Sequence, residues 1–215
     1  MTKPESTDIL DPAKVTLAVL AGGAGTRMGL PKALLKVGDR PLLSWLIEHY
    51  RWPGPTLLVT APAIARPPGA EDFTQVAVDP IDGGGPLQGV HTAMKQSTTP
   101  VFAIVTVDMP GIETAQLIWL LNQLTADAAR AGVMCRVGQQ IEPFPCVFRP
   151  AAAGLIEARL QSGRRSVHGL CEDPSIVALP APGEWPAEVW LNLNQPHEFD
   201  GFLQRVSRTD PNHKP

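Results

Sequence analysis

The chain opens its structured part with Val15–Leu20 (VTLAVL), an almost unbroken apolar run that stops at a cluster of glycines. That is the pattern of a strand buried on both faces. After a loop over 21–31, residues 41–50 (PLLSWLIEHY) carry apolar side chains at helical spacing, with Pro41 suited to a first turn. Two short strands are expected at 56–60 (TLLVT) and 75–78, the second ending at Asp79. A helix over 87–96 follows the glycines of 82–86. A fourth and most hydrophobic strand, 101–107 (VFAIVTV), stops at Asp108, and a long helix is expected over 113–130. Such alternation predicts a mostly parallel sheet covered on both faces. Beyond it the pattern weakens. Short strands are expected at 133–136 and 145–148, a helix at 151–161 stopped by Gly163, a last strand at 189–193 and a last helix at 195–205.

In a parallel sheet, ligands bind outside the carboxyl ends of the strands. The turns after Leu20, Thr60, Val78 and Val107 should therefore converge on one crevice. The polar N-terminal stretch 1–13 and residues 206–215 are expected to be flexible tails around a single domain spanning 14–205.

Composition narrows the class. With 215 residues, 44% hydrophobic and 18% charged, the chain is long enough to bury a core without staples. A net charge of -3 does not suit a nucleic-acid binder. The three cysteines, Cys135, Cys146 and Cys171, have no CxxC spacing, which disfavours a disulfide framework or zinc site and fits a reducing compartment. The first residues lack the apolar core of a secretory signal, and no apolar run spans a bilayer, so a cytoplasmic protein without a membrane partner is expected.

The chemistry concentrates in the first loop, Leu20-Ala21-Gly22-Gly23-Ala24-Gly25-Thr26-Arg27-Met28-Gly29-Leu30-Pro31-Lys32. Its glycines let the backbone approach a ligand closely, and successive free N–H groups in such a turn make an anion site. Arg27 and Lys32 add full positive charges. It is not a Walker loop, because proline rather than glycine precedes Lys32. Nor is it a dinucleotide fingerprint: counted from Gly23, the third glycine falls on Met28, and Thr60 and Ala61 stand where an acid should follow the second strand. The plain alternative is a glycine-rich turn with incidental basic residues.

Two aspartates end strands beside this loop. Asp108 is placed to hold a magnesium ion, which takes one or two carboxylates plus substrate phosphates. Asp79 is placed to accept hydrogen bonds from a nucleobase or ribose, with Asp82 a weaker candidate. Gly83–Gly85 and Gly89 let the backbone lie against a flat base. Either aspartate has the alternative role of turn residue. Asn192 and Asn194, two apart on the expected last strand, would share a face and could hold phosphate oxygens or metal-bound water, unless Asn194 caps the following helix. None of the five histidines has metal-ligand spacing, and there is no GxSxG elbow.

LAGGAGTRMGLPKALLKVGDRPLL resembles the opening motif of nucleotidyltransferases that carry LAGGxGxRM…K. Four more segments occur in the order seen in molybdenum cofactor guanylyltransferases: Gly85-Pro86-Leu87-Gln88-Gly89, Asp108-Met109-Pro110, Glu142 to Phe148, and Asn192 to Glu198. The resemblance covers about 15–204. It implies a Rossmann-like three-layer α/β/α sandwich and Mg²⁺-dependent transfer of GMP from GTP to molybdopterin. It also implies transient contact with proteins of cofactor biosynthesis or molybdoenzyme maturation.

By motif position, Leu20, Ala21, Gly22 and Gly23 would meet the nucleotide, Lys32 and Arg27 its phosphates, and Thr60 and Asp79 the nucleoside. Asp108 would bind nucleotide and metal, and Asn192, Asn194, Arg164 and Arg165 would form the acceptor side. Three positions depart from the family pattern: Thr60 replaces an asparagine, Pro31 an aspartate, and Gln195 a threonine. The rival readings are a cytidylyltransferase or sugar-1-phosphate nucleotidyltransferase, and a nucleotide-binding partner without turnover.

Overall fold

The computed structural model describes residues 10–23 and 28–209. In chain order the elements are β1 (Val15–Leu20), the short strands β2 (Lys36–Val37) and β3 (Arg40–Pro41), α1 (Leu42–Tyr50), β4 (Thr56–Thr60), β5 (Gln75–Val78), α2 (Pro86–Gln96) and β6 (Val101–Thr106). Then come α3 (Thr114–Thr125), β7 (Gly132–Val137), β8 (Gln140–Phe148), α4 (Ala153–Gln161), β9 (Ile176–Pro180) and α5 (Pro196–Thr209). Seven strands form one sheet in the order β5-β4-β1-β6-β8-β7-β9. β1 runs parallel to β4 and β6, and β4 to β5, whereas β8 is antiparallel to both β6 and β7. β2 and β3 pair as a small separate ribbon.

The parallel half follows the apolar runs closely. Every residue of β1 is buried, as expected of a strand with helices on both faces. The side chains of Leu42, Leu43 and Leu46 on α1 and Leu117, Leu120 and Leu121 on α3 enter the same core. The helix at 114 is shorter than the one expected over 113–130. Glu113 and Gln116 close its start with a reciprocal capping box. After Thr125 the Asp127 carboxylate accepts the Ala129 N–H, a local turn that competes with continued helix.

The distal half departs more. β8 begins at Gln140, not at 145, and carries two prolines in a stretch where its register with β7 slips. Proline's missing donor is tolerated where ladder pairing is interrupted. β9, which ends in Pro180, has no counterpart among the expected strands. It is the sheet's edge, where a terminal proline costs little. The strand expected at 189–193 does not form. Ala187–Trp190 is a short 3-10 turn, and the chain then runs irregularly to α5. Val189 and Leu193 are buried all the same, which accounts for the strand-like sequence pattern. α5 continues to Thr209, past the expected domain end at 205, with Val206 in the core.

Among the described residues no helix is long and apolar enough to cross a membrane.

Candidate active site

A pocket of about 360 Å³ opens where the parallel strands end. Its floor is Leu20 of β1 with Val107 and Asp108 beyond β6. One wall is Gly22, Gly23 and Lys32, and the other is Asp79 with the glycine turn that leads into α2. Gly83 and Gly85 have φ of 65° and 81°, a region that side chains with a Cβ seldom enter. This backbone lets α2 begin at the pocket wall, where its N-terminal end favours negative charge.

Lys32, in a short 3-10 turn, sends its Nζ to within 2.6 Å of Asp108 Oδ2 and 2.8 Å of Asn194 Oδ1. Three distant segments thus meet at one ammonium group. Asp79 sits deeper. Its Oδ1 is fully buried and has no hydrogen-bond partner among the described residues. A Cβ on Gly22 or Gly89 would lie 3.8 or 3.7 Å from its Oδ2, so the glycines leave a slot beside the carboxylate. Burial pushes the Asp79 carboxyl above its ordinary value, partly offset by the Thr92 hydroxyl and by His91.

Several expected residues stand elsewhere. Thr60 is fully buried and donates its hydroxyl to the carbonyls of Ala65 and Ala77, while Val59 and Ala61 line the pocket. The pleat explains this: successive strand residues face opposite sides of the sheet, and Thr60 falls on the wrong one. Ala21 is buried with its N–H committed to the Val59 carbonyl, and the Leu20 carbonyl accepts from Val107. Leu20 therefore meets the pocket as an apolar floor, and Ala21 is spent on holding β1 to β4.

Asn192 does not share a face with Asn194, since no strand forms there; its amide donates to the Trp190 carbonyl. Arg164 is turned away from the pocket and joins Arg159 on the Glu172 carboxylate. Arg165 stays at the rim, its guanidinium donating to the Gly83 carbonyl at 2.9 Å. Arg27 lies outside the described residues. Ile81, half-exposed at the pocket edge, was not singled out by sequence reasoning. Its only signal is its place between Asp79 and the glycine triplet.

No group of three or more His, Cys, Asp or Glu side chains among the described residues could cage a metal ion. Asp108 lines the pocket with Asp79 and Asp82, and its carboxylate is paired with Lys32. That donor set fits a magnesium ion shared with phosphates and not an all-protein cage.

Comparison with known proteins agrees with this geometry. The family model for the MobA-like NTP transferase domain matches residues 17–174. A protein of Opitutus terrae named probable molybdenum cofactor guanylyltransferase is 30% identical over 192 residues, covering 85% of this chain and 92% of that one. Among solved structures, molybdopterin-guanine dinucleotide biosynthesis protein A from Archaeoglobus fulgidus superposes with a TM-score of 0.73 at 21% identity, over 90% of this chain and 100% of that one. The 2-C-methyl-D-erythritol 4-phosphate cytidylyltransferase of Thermus thermophilus superposes at 0.65 and 17% identity, over 91% and 99%, so the fold by itself does not choose the nucleotide. The family match over most of the chain, on a fold that gathers Lys32 and Asp108 at one pocket, places the chain in the MobA-like NTP transferase family, as a nucleotidyltransferase.

Proposed function

We propose that the protein transfers GMP from GTP to the phosphate of molybdopterin in the cytoplasm, releasing pyrophosphate, with Mg²⁺ held at Asp108. The names of the relatives support the acceptor. The nucleotide choice is carried by Asp79. Its Oδ2 borders the slot that Gly22 and Gly89 leave open, so a base seated there meets a carboxylate acceptor. Guanine offers N1–H and an amino group side by side on one edge, which suits a carboxylate. Cytosine offers a single amino donor there.

In the reaction, an oxygen of the acceptor phosphate attacks the α-phosphorus in line. The new P–O bond forms as the bond to pyrophosphate breaks, and no enzyme-bound intermediate is required. Magnesium at Asp108 supplies charge neutralisation for the phosphate oxygens. Lys32 and Arg27 hold the triphosphate, the glycine loop orients it, and α2 adds its positive end. Catalysis of this kind consists of positioning two like-charged groups and stabilising developing charge.

Calorimetric titration with GTP and CTP, with Mg²⁺ and at several pH values, tests this. GTP should bind more tightly. Asp79→Asn should weaken GTP by roughly 10- to 100-fold, the worth of a charged hydrogen bond, and leave CTP little changed. The pH dependence has a defined sign. The Asp79 carboxyl is raised, so on acidification it takes a proton before an ordinary aspartate would, and GTP affinity falls at that point. The same raised carboxyl makes the opposite contribution to the free protein: stability is fully present below the unfolded-state value and lost as pH rises through the folded one. Equal affinity for CTP, or GTP binding indifferent to Asp79→Asn, would refute the guanylyl reading.

A further inference from the structure

Asn194 touches the site in a way that its expected acceptor role does not explain. Its amide oxygen accepts from Lys32 Nζ at 2.8 Å, while the same ammonium lies 2.6 Å from Asp108 Oδ2. Asn194 is itself fixed from behind. Its backbone N–H and that of Gln195 both donate to Glu198 Oε2, at 2.6 and 2.8 Å. The preceding residue, Leu193, is fully buried and donates its N–H to the Asp108 backbone carbonyl at 2.8 Å. The amide is thus built onto the turn that carries Asp108.

A single carboxylate fixes a flexible lysine stem from one side only, even in a pair whose side chains are just 13% and 21% exposed, and the rotamer freedom lost must still be offset. Two acceptors from separate segments do hold it. Lys32 occupies Asp108 Oδ2, one of the two oxygens open to a divalent cation, and an ammonium and a dication at one carboxylate repel each other.

We propose that Asn194 is a positioning residue acting through Lys32: it parks the ammonium on Asp108 as a stand-in for the metal until a triphosphate draws it away. The proposal rests on the reading of Asp108 as the metal carboxylate. It follows that nucleotide and metal assist each other's binding beyond their association in solution. A triphosphate offers Lys32 a stronger anion and thereby frees Asp108, and the coupling is reciprocal.

The test is Mn²⁺ binding to the full chain, followed by the electron paramagnetic resonance of free Mn²⁺, with and without a non-hydrolysable GTP analogue. Asn194→Leu keeps size and net charge. It should bind Mn²⁺ without nucleotide several-fold to about tenfold more tightly than the unaltered protein, the worth of one hydrogen bond. It should also gain less from the analogue. Lys32→Met should likewise tighten nucleotide-free Mn²⁺ while weakening the analogue. Unchanged Mn²⁺ affinity in Asn194→Leu overturns the proposal, since repulsion by Lys32 alone is untouched by that change. A lowered affinity also overturns it, because Asn194 would then be a metal ligand. Asp108→Ala separates the two readings. If it binds Mn²⁺ with the analogue as the unaltered protein does, the metal role of Asp108 fails and this proposal with it. If it loses that binding while Asn194→Leu is unaltered, only the role of Asn194 fails.

Discussion

The two halves of the sheet build the site by different means. In the half made of β5, β4, β1 and β6, all neighbours are parallel, and the pocket forms where those strands end. There a residue's position follows from topology: Leu20, Asp79 and Asp108 reach the pocket because each ends a strand or follows one within two residues. In the half made of β8, β7 and β9 the order includes an antiparallel hairpin, and the strands contribute no lining residue to the pocket. That half delivers Asn194 from an irregular segment, fastened to the first half by the Leu193 bond to Asp108 and the Lys32 bond to Asn194, and closed on itself by Glu198. A parallel sheet positions groups by rule. The distal segment positions one group by a particular set of contacts.

The largest effect should come from the end of β6. Asp108→Ala should lower turnover by on the order of 10²–10³, the usual cost of losing one preorganised electrostatic contact. The Lys32 and Asp108 side chains are only 13% and 21% exposed, so losing the carboxylate leaves a largely buried ammonium short of a partner, and stability should fall by about 1–3 kcal/mol. Pyrophosphate release and a thermal melt check both. Turnover that survives would mean that the parallel half binds nucleotide but does not carry the chemistry.

A change at the seam between the halves should come next. Gly111 lies in the turn after Asp108, packed so closely on the Glu188 carbonyl that a Cβ there would overlap it. Gly111→Ala must push the 187–195 segment outward, at a cost of about 1–3 kcal/mol typical of overpacking. Chemical denaturation should record that loss. GTP affinity through Asp79 should largely persist while turnover falls, because the displaced segment pulls on the turn that carries Asp108 through the Leu193 bond. Unaltered stability would show that the seam yields freely and that the distal segment is not fixed by it.

This contrast explains what the sequence made legible. β1 and β4 are read to the residue because their apolar runs reflect burial on both sides, and β5, though an edge strand, because its short run stops at Asp79. Lys32 and Asp108 follow from their residue types beside such ends. Asn192 and Asn194 are flagged by motif, but the strand imagined for them is wrong: Val189 and Leu193 are buried by an irregular chain, and burial alone does not specify extended backbone. Arg164 and Arg165 are adjacent in sequence yet serve different sites, one on Glu172 and one at the Gly83 carbonyl. Charge type is visible in a sequence, but the partner that claims it is set by packing.

Thr60 is a case in which strand pleat decides the partner, and it should give the smallest effect. Motif alignment places it against the nucleotide, whereas the pleat turns it inward to the Ala65 and Ala77 carbonyls, at 3.2 and 3.4 Å. Thr60→Val keeps the shape and removes the hydroxyl. The buried carbonyls lose a donor, so stability should fall by about 0.5–1.5 kcal/mol. GTP affinity should stay within about twofold, since the neighbouring wall is made by Val59 and Ala61. Calorimetry on one preparation measures both. A drop in affinity without a drop in stability would put the Thr60 hydroxyl back in the pocket and shift the end of β4 by one residue. Ala61 would then be the inward-facing position, and the slot beside Asp79 would have a polar wall.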